Sequence, residues 1–442
     1  MKINPYLVLG VSLFLMPSLQ AQVKESLKLE EAIHLAWQKS SEVSLADSKV
    51  LSKSLEVQSV KNRMYPDLKI SGQYQRLTNA KVDLQTGSSS SSTGGTPVVN
   101  QLVLGQVTAS LPIFSGFKLR NSVKASDHMY EAETANALQT KEEVAMRVID
   151  YYAQLYKAQK TIDLLSENKK SAQQRVDDFI QLEKNGIIPR NDLLKAQLQV
   201  SKLQLSLDKS TSDLNTLNFE LTNFLKLDPS TVVEVLESDF ANFDMSGIPT
   251  SDETALGNRK DLEAIQLAQK ASLDNIAIAK SGYYPSIALV GGYTTLDLKN
   301  VINVQNAMNF GVGLSYDLSG ILKNGTTVKL AKSKAEEVKN QEAVLTDYIK
   351  IEVKRATEAF ELSLKQEQVY TEAVGQATEN YRIIKDKYDN GLADTNDLLE
   401  ADVEQLASKI NKTLSKADSI EKYYALLSAS GQLNQTFNLS KI

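Results

Sequence analysis

NGIIPRNDLLKA at residues 185–196 and NGLADTNDLLEA at residues 390–401 are one phrase written twice. Gly186, Asn191, Asp192, Leu193, Leu194 and Ala196 recur as Gly391, Asn396, Asp397, Leu398, Leu399 and Ala401. Other landmarks keep nearly the same offset. Ser115-Gly116 and Ser319-Gly320 each end an alternating apolar run, and Tyr65-Pro66 and Tyr284-Pro285 each open such a region. The chain reads as an internal duplication, which restricts the folds open to it.

Asn-Gly ends a helix, because glycine accepts the left-handed conformation at a helix C-terminus at little steric cost. Gly186 and Gly391 are therefore expected to make turns. Asn191 or Asp192, and Asn396 or Asp397, are expected to cap the helix that follows through their side-chain oxygens. The phrase is then a helix–turn–helix tip, made once per half. Asp192 and Asp397 have two readings. In one they only cap. In the other, Asp397 and Glu400 share a helix face, three residues apart, and in a ring of subunits their carboxylates converge near the axis. The copies also differ. The first carries Pro189 and Arg190, and Lys195 stands where the second has Glu400, so the negative charge of such a ring is expected mainly from the second copy.

Each phrase is preceded by a long tract without proline, from Gly116 to Gly186 and from Gly320 to Gly391. At 1.5 Å per residue either tract reaches roughly 100 Å as a helix. After each tip the chain returns with apolar residues in heptads. Leu193, Val200, Leu207, Leu214 and Leu221 form one seam, and Ala196, Leu203, Leu217 and Phe224 form a second, with Ser210 the exception. The later copy has Leu399, Leu406, Ile420 and Leu427, with Val403, Ile410, Ala417 and Tyr424. Sustained sevenfold spacing implies supercoiled helices, although an ordinary helical bundle also accommodates it.

Strand patterns stand before each long tract. Residues 68–77 alternate loosely, and Val103, Gly105, Val107, Ala109, Leu111 and Ile113 alternate with Leu104, Gln106, Thr108 and Ser110. In the second half, 286–298 is β-branched and aromatic. Met308, Phe310, Val312, Leu314, Tyr316 and Leu318 then alternate with Asn309, Gly311, Gly313, Ser315 and Asp317. Such a strand suits one face in lipid and one in a water-filled lumen. A half-buried strand of a soluble sandwich has the same period. The Ser/Gly-rich stretch at 86–97 reads as a strand-connecting loop. Residues 27–64 read as helix with Trp37 on the core face, and 227–258 as an acidic connection outside the regular helices.

Composition narrows the function. The 442-residue chain is 23% charged and 42% hydrophobic, with a net charge of -5. No basic face dominates, so a nucleic-acid partner is not expected. Cysteine is absent, which removes disulfides and thiolate metal sites. The two histidines, His34 and His128, sit at unrelated positions, so neither a metal site nor a cofactor is expected. Lys2, the apolar run Tyr6 to Met16 and the Pro17–Ala21 segment have the layout of a signal peptide, removed at about residue 21. No other stretch is long and apolar enough for a membrane-spanning helix. No nucleophile–base pair or phosphate-cradling loop stands out, so an enzyme with catalytic residues is not expected.

With LKLEEAIHLAWQKS at 27–40, the Tyr-Pro and strand regions, NRKDLEAIQLAQKA at 258–271, SGYYPSIALVGGY at 281–293 and the duplicated tip, the chain resembles the TolC family of outer-membrane efflux proteins over nearly its whole mature length. The resemblance implies a mixed, mainly α fold. Long coiled-coil hairpins build a trimeric α-barrel, and four strands per subunit build a shared twelve-stranded outer-membrane β-barrel. It implies a homotrimer in outer-membrane lipid with a long periplasmic extension, partnered by a periplasmic adaptor (membrane-fusion) protein and an inner-membrane pump. By motif position Asp397 and Glu400 match an acidic gate ring, and Asp192 and Tyr388 match gate links. Ala393 stands where the family has a linking arginine, and Arg190 on the first tip is the candidate substitute.

The expected organisation is a signal peptide at 1–21, a first repeat at 22–230, a connecting segment at 231–257 and a second repeat at 258–442. The strands are expected at about 68–77, 102–114, 286–298 and 307–318, and the tips at about 185–192 and 390–397. The function expected is a passive exit duct of an efflux or type I secretion system. The competing reading is a soluble periplasmic coiled-coil adaptor or structural protein.

Overall fold

The computed structural model describes residues 24–81, 98–236, 245, 251–299 and 301–437. The signal segment, the Ser/Gly stretch and residues 237–244 and 246–250 of the connection lie outside the described residues. In chain order the elements are β1 (Lys24–Ser26), α1 (Leu29–Lys39), α2 (Ser41–Asn62), β2 (Asp67–Lys81), β3 (Val98–Ser115), α3 (Lys118–Lys184) and α4 (Arg190–Phe224). They continue with β4 (Val232–Glu234), α5 (Asp252–Asn258), α6 (Lys260–Lys280), β5 (Ser286–Leu298), β6 (Ile302–Ser315), α7 (Leu318–Asp389), α8 (Thr395–Ala429) and the short α9 (Leu433–Thr436). The helices before the tips, α3 and α7, run unbroken for 67 and 72 residues. No described helix is long and apolar enough to cross a membrane.

The chain packs into two compact units, each drawn from both repeats. One takes Ser41–Glu143, Ile248–Thr357 and Leu426–Ile442. It holds an antiparallel sheet of order β2-β3-β5-β6. Register aligns the large apolar residues across all four strands. Ile70 faces Val107, then Tyr293, then Met308, and Leu68 faces Ala109, then Gly291, then Phe310. Side chains alternate between faces along a strand, so these residues share one surface. That surface is bare: Ile70 is 83% exposed, Met308 79% and Phe310 96%. The other face carries Lys69, Thr108, Gly292 and Asn309 in one row and Ser71, Gln106, Thr294 and Ala307 in the next.

Two sequence expectations need correction here. The apolar alternation of 307–318 overruns the strand, which ends at Ser315. Asp317 ends it by starting α7: its Oδ1 accepts from the Gly320 amide and the Ser319 hydroxyl, both at 2.9 Å. Ser319 and Gly320 therefore belong to a first helical turn. The connecting segment, expected to lack regular helix, contains α5. Ser251 caps it, its hydroxyl accepting from the Thr254 amide at 3.2 Å, and Asp252 and Glu253 place negative charge in the first turn.

The same unit has a helical core of Ala255, Leu262, Ile349, Val353 and Ala429. Arg259, 7% exposed, bridges it through Asp261 at 2.6 Å, Glu352 at 2.8 Å and the Ala429 carbonyl at 3.3 Å. Burial opposes its charge, but the two carboxylates outweigh burial and hold the guanidinium more firmly protonated than usual. Gly431 packs on the Asn258–Arg259 backbone with φ +69, a conformation and a clearance that exclude a side chain. Glu142 is 1% exposed, and burial pushes its carboxyl up to about 7. His128 hydrogen-bonds Asp274 at 3.0 Å, which accounts for it as a satisfied helix residue.

The second unit takes Met1–Ser40, Val144–Gly247 and Glu358–Ala425. Strands β1 and β4 pair in parallel, and the Tyr152 hydroxyl donates to the Leu27 carbonyl beside them. Trp37 is buried in α1, edge-on to His34. Lys157 of α3 meets Asp418 and, at 3.0 Å, Glu421 of α8. Below this level Leu165, Ala172, Leu203 and Leu406 form one apolar cluster. Val176, Phe179 and Ala196 form another. Ala196 and Leu203 are members of the second heptad seam. Val403 of the later seam is 43% exposed.

Candidate functional site: the paired hairpin tips

Both tips end their first helix in the same hydrogen-bond pattern. The Ile187 amide reaches back to Leu182 and the Gly186 amide to Glu183, each at 2.9 Å. The Leu392 amide bonds Lys387 at 2.8 Å and the Gly391 amide bonds Tyr388 at 3.0 Å. This paired closure needs a left-handed residue, and Gly186 and Gly391 each have φ +72. Nothing lies within 4 Å of a Cβ added at either. The glycines are required by backbone conformation and not by crowding.

The second helix of each tip starts differently, and the capping assignment from sequence is corrected. In the second copy the cap is Asp394, not Asn396 or Asp397. Asp394 Oδ1 accepts from the amides of Asn396 at 2.8 Å and Asp397 at 3.0 Å. Asp397 returns the favour as the third helical residue, its Oδ2 accepting from the Asp394 amide at 3.3 Å. Two orphan amide sets are thereby satisfied reciprocally. In the first copy Pro189 occupies the equivalent position and offers no side-chain cap. Neither Asn191 nor Asp192 can substitute, because both already lie inside the first turn of α4.

Freed from capping, Asp192 joins the two tips. Its Oδ2 accepts from the Thr395 hydroxyl at 3.0 Å, and Lys195 and Asn191 approach its Oδ1 at 3.5 and 3.2 Å. Thr395 is 3% exposed, so this link is sheltered from water. The Tyr388 ring stacks on Phe179 at 6.0 Å between centroids and, like Ile188 and Leu193, packs against the buried cluster of Val176, Phe179 and Ala196. Asp397 and Glu400 are both exposed. Arg190 is exposed too, and has no ion-pair partner among the described residues. The structure thus brings Asp192, Thr395 and Lys195 together and leaves Arg190, Asp397 and Glu400 facing solvent.

Behind the tip lies a polar cluster the sequence reading passed over. Arg175 of α3 donates to Asp402 of α8 at 3.0 Å and to the Tyr381 hydroxyl of α7 at 3.1 Å. Asn168 donates to the other Asp402 oxygen at 3.3 Å. Asp402 is 3% exposed. One signal was present: Asp402 lies four residues from both Leu398 and Leu406, on the apolar face of its helix.

A model of the outer membrane efflux protein family matches residues 32–225 and 253–432, nearly all of the described chain. The chain belongs to this family. It is a channel of the outer membrane, an efflux exit duct, with a helical periplasmic extension. Its family is one of channel proteins and not of enzymes. A curated relative, the outer membrane efflux protein BepC of Brucella suis biovar 1 (strain 1330), is 20% identical over 359 residues, covering 79% of this chain and 76% of BepC. The fold is that of solved channels. CusC superposes with a TM-score of 0.80 at 17% identity, over 91% of this chain and 92% of CusC. The open state of the Neisseria gonorrhoeae MtrE channel gives 0.74 at 17%, over 92% and 89%. A soluble adaptor is not the better reading of a chain in this family.

Proposed function

We propose that three copies of this chain join their sheets into one closed barrel in the outer membrane, and that the paired tips form a periplasmic gate. The observation that carries this reading is the sheet. Its four strands have an apolar outward face, while β2 and β6 are left as edges without a further strand among the described residues. In lipid every backbone polar group must be bonded within the protein, so an open edge cannot persist there. Edge-to-edge pairing of identical subunits removes both edges at once.

On this reading the tips meet a periplasmic adaptor, and an inner-membrane pump supplies the cargo and the energy. The duct itself is passive. Asp397 and Glu400, exposed on the second tip, ring the entrance and concentrate cations there. Asp192, linked to Thr395 and approached by Lys195, holds the two tips of a protomer together. Tyr388 supports that link by packing and Arg190 is available to a neighbouring chain or the adaptor. The open state of MtrE supports the idea that this fold has an opening entrance.

The test is recovery of the protein from outer membranes followed by electrophoresis without boiling. A heat-resistant trimer that collapses to monomer on boiling is expected. A monomer under all conditions, or recovery only in the soluble periplasmic fraction, would sink the proposal.

A further inference from the structure

We infer that the helix-side rim of the sheet binds an anionic phospholipid, its phosphodiester headgroup held by exposed cations that have no carboxylate of their own. The inference rests on the outer-membrane barrel proposed above and names the lipid that this barrel recruits. The bare apolar face runs along β6 from Met308 to Leu314 and ends at Tyr316, just before α7. Three chain segments meet at that border. The Phe117 ring lies edge-on to Phe114 at 5.4 Å and to Tyr284 at 6.5 Å. The Tyr316 hydroxyl donates to the Tyr283 carbonyl at 3.5 Å, and Asn324 donates to the Ala279 carbonyl at 3.0 Å. Phe117, Tyr284 and Tyr316 remain exposed. An aromatic row at the edge of an apolar band marks the level of the lipid headgroups.

The charges at this level are one-sided. The chain as a whole is acidic, at -5, yet residues 112–126, 276–296 and 318–335 carry three, one and four cations and no aspartate or glutamate. Four of these cations flank the aromatic row. Lys118 follows Phe117, Arg120 stands two residues on, Lys280 precedes the Ser281–Tyr283 turn, and Lys323 adjoins Asn324. All four are exposed, and none has an ion-pair partner among the described residues. The carboxylates nearest in sequence are engaged elsewhere. Asp317 caps α7, Asp127 pairs with Lys61 at 3.4 Å, and Asp67 pairs in register with Ser110, on the polar face of the sheet. Lys118 and Arg120 also stand in the first turn of α3, which has no acidic residue. A helix dipole disfavours cations at that end, so an anion docked among them offsets a local cost. Position favours lipid over protein as the partner. Lys118 follows β3 and Lys280 precedes β5, the two central strands of the sheet. A neighbouring subunit that pairs with the edges β2 and β6 leaves this middle facing lipid. Each cation at the headgroup level raises affinity for an anionic lipid about fivefold. The Arg120 fork suits two phosphate oxygens at once, while the lysines act as point charges.

The experiment uses the full-length trimer in phosphatidylcholine bilayers. Trace spin-labelled phosphatidylglycerol is compared with spin-labelled phosphatidylcholine of the same acyl chains, and the motionally restricted fraction reports lipid held at the protein surface. Phosphatidylglycerol should be held about threefold or more in preference. Lys118→Gln, Arg120→Gln, Lys280→Gln and Lys323→Gln together should bring the ratio close to one. Lys118→Gln with Lys280→Gln alone, away from the subunit edges, should cut the preference about twofold or more, which keeps the test open if the fourfold variant fails to assemble. Lys118→Arg with Lys280→Arg and Lys323→Arg, which keep every charge, should keep the preference, as should Arg190→Gln at the tip. Excess inorganic phosphate should have no more effect than chloride of equal ionic strength, because acyl chains anchor the lipid beside the apolar band. A preference erased by phosphate specifically would make this a site for free anions and overturn the inference. Equal retention of the two lipids by the wild type, or a full preference surviving in heat-resistant trimers of the glutamine variants, would also overturn it. A heat-resistant trimer without lipid preference sinks this inference alone, whereas absence of the trimer sinks the barrel reading and the collar with it.

Discussion

The two tips share their glycines, their turn geometry and most of their letters, but they begin their second helices in opposite ways. The second tip is self-sufficient: Asp394 caps, Asp397 returns the bond, and Glu400 remains exposed. The first has Pro189 in place of the capping Asp394 and Lys195 in place of Glu400. Its aspartate has moved from local service to a link with Thr395. A duplicated motif has thus divided its labour. One copy carries the exposed acids, and the other carries the connection between them.

The largest effect that bears on this contrast lies away from both tips. Stability measured against pH could be credited to the tip acids, but buried Glu142 should dominate it. Its carboxyl is raised from 4.5 to about 7 in the folded protein, so the folded state holds the proton more tightly than the unfolded one. Stability should be greatest below pH 4.5 and fall as pH rises to about 7, by up to about 3 kcal/mol. Thermal unfolding of the detergent-solubilised protein should show this slope. It should flatten in Glu142→Gln and persist in Glu400→Gln.

Next come the shared glycines. Gly186→Ala and Gly391→Ala each force a left-handed non-glycine residue and should cost about 1–2 kcal/mol by thermal unfolding. Similar losses at both positions are expected, because the turns match. The caps should break that symmetry. Asp394→Ala should cost about 1–2 kcal/mol, whereas Pro189→Ala should cost almost nothing. Equal losses would show that the two starts are equivalent after all. The link itself comes last: Thr395→Val removes one sheltered hydrogen bond to Asp192 and should cost about 1 kcal/mol.

Much of this was legible in the sequence. The duplication placed the tips, the proline-free tracts gave the long helices, and period-two alternation gave the strands. What failed to read was local competition. Asn-Asp after a turn looks like a cap, but the residue two or three places earlier had already taken that position, as Asp394 or as Pro189. The alternation through Leu318 looked like more strand, but the Asp317 side chain offered the amides a helical start. The Arg175–Asp402 pair was hidden because its partners are 227 residues apart. Only the misplaced charge on an apolar face pointed to it.

The division of labour between the tips is tested most directly by ion selectivity in planar bilayers. The wild-type trimer should prefer cations and be blocked by multivalent cations at the tip side. Asp397→Asn with Glu400→Gln should weaken both properties together, because a carboxylate ring concentrates cations in a narrow pore. Selectivity and block unchanged in that double variant would contradict the account, leaving Asp397 with its bond to the Asp394 amide and Glu400 with no part at the entrance.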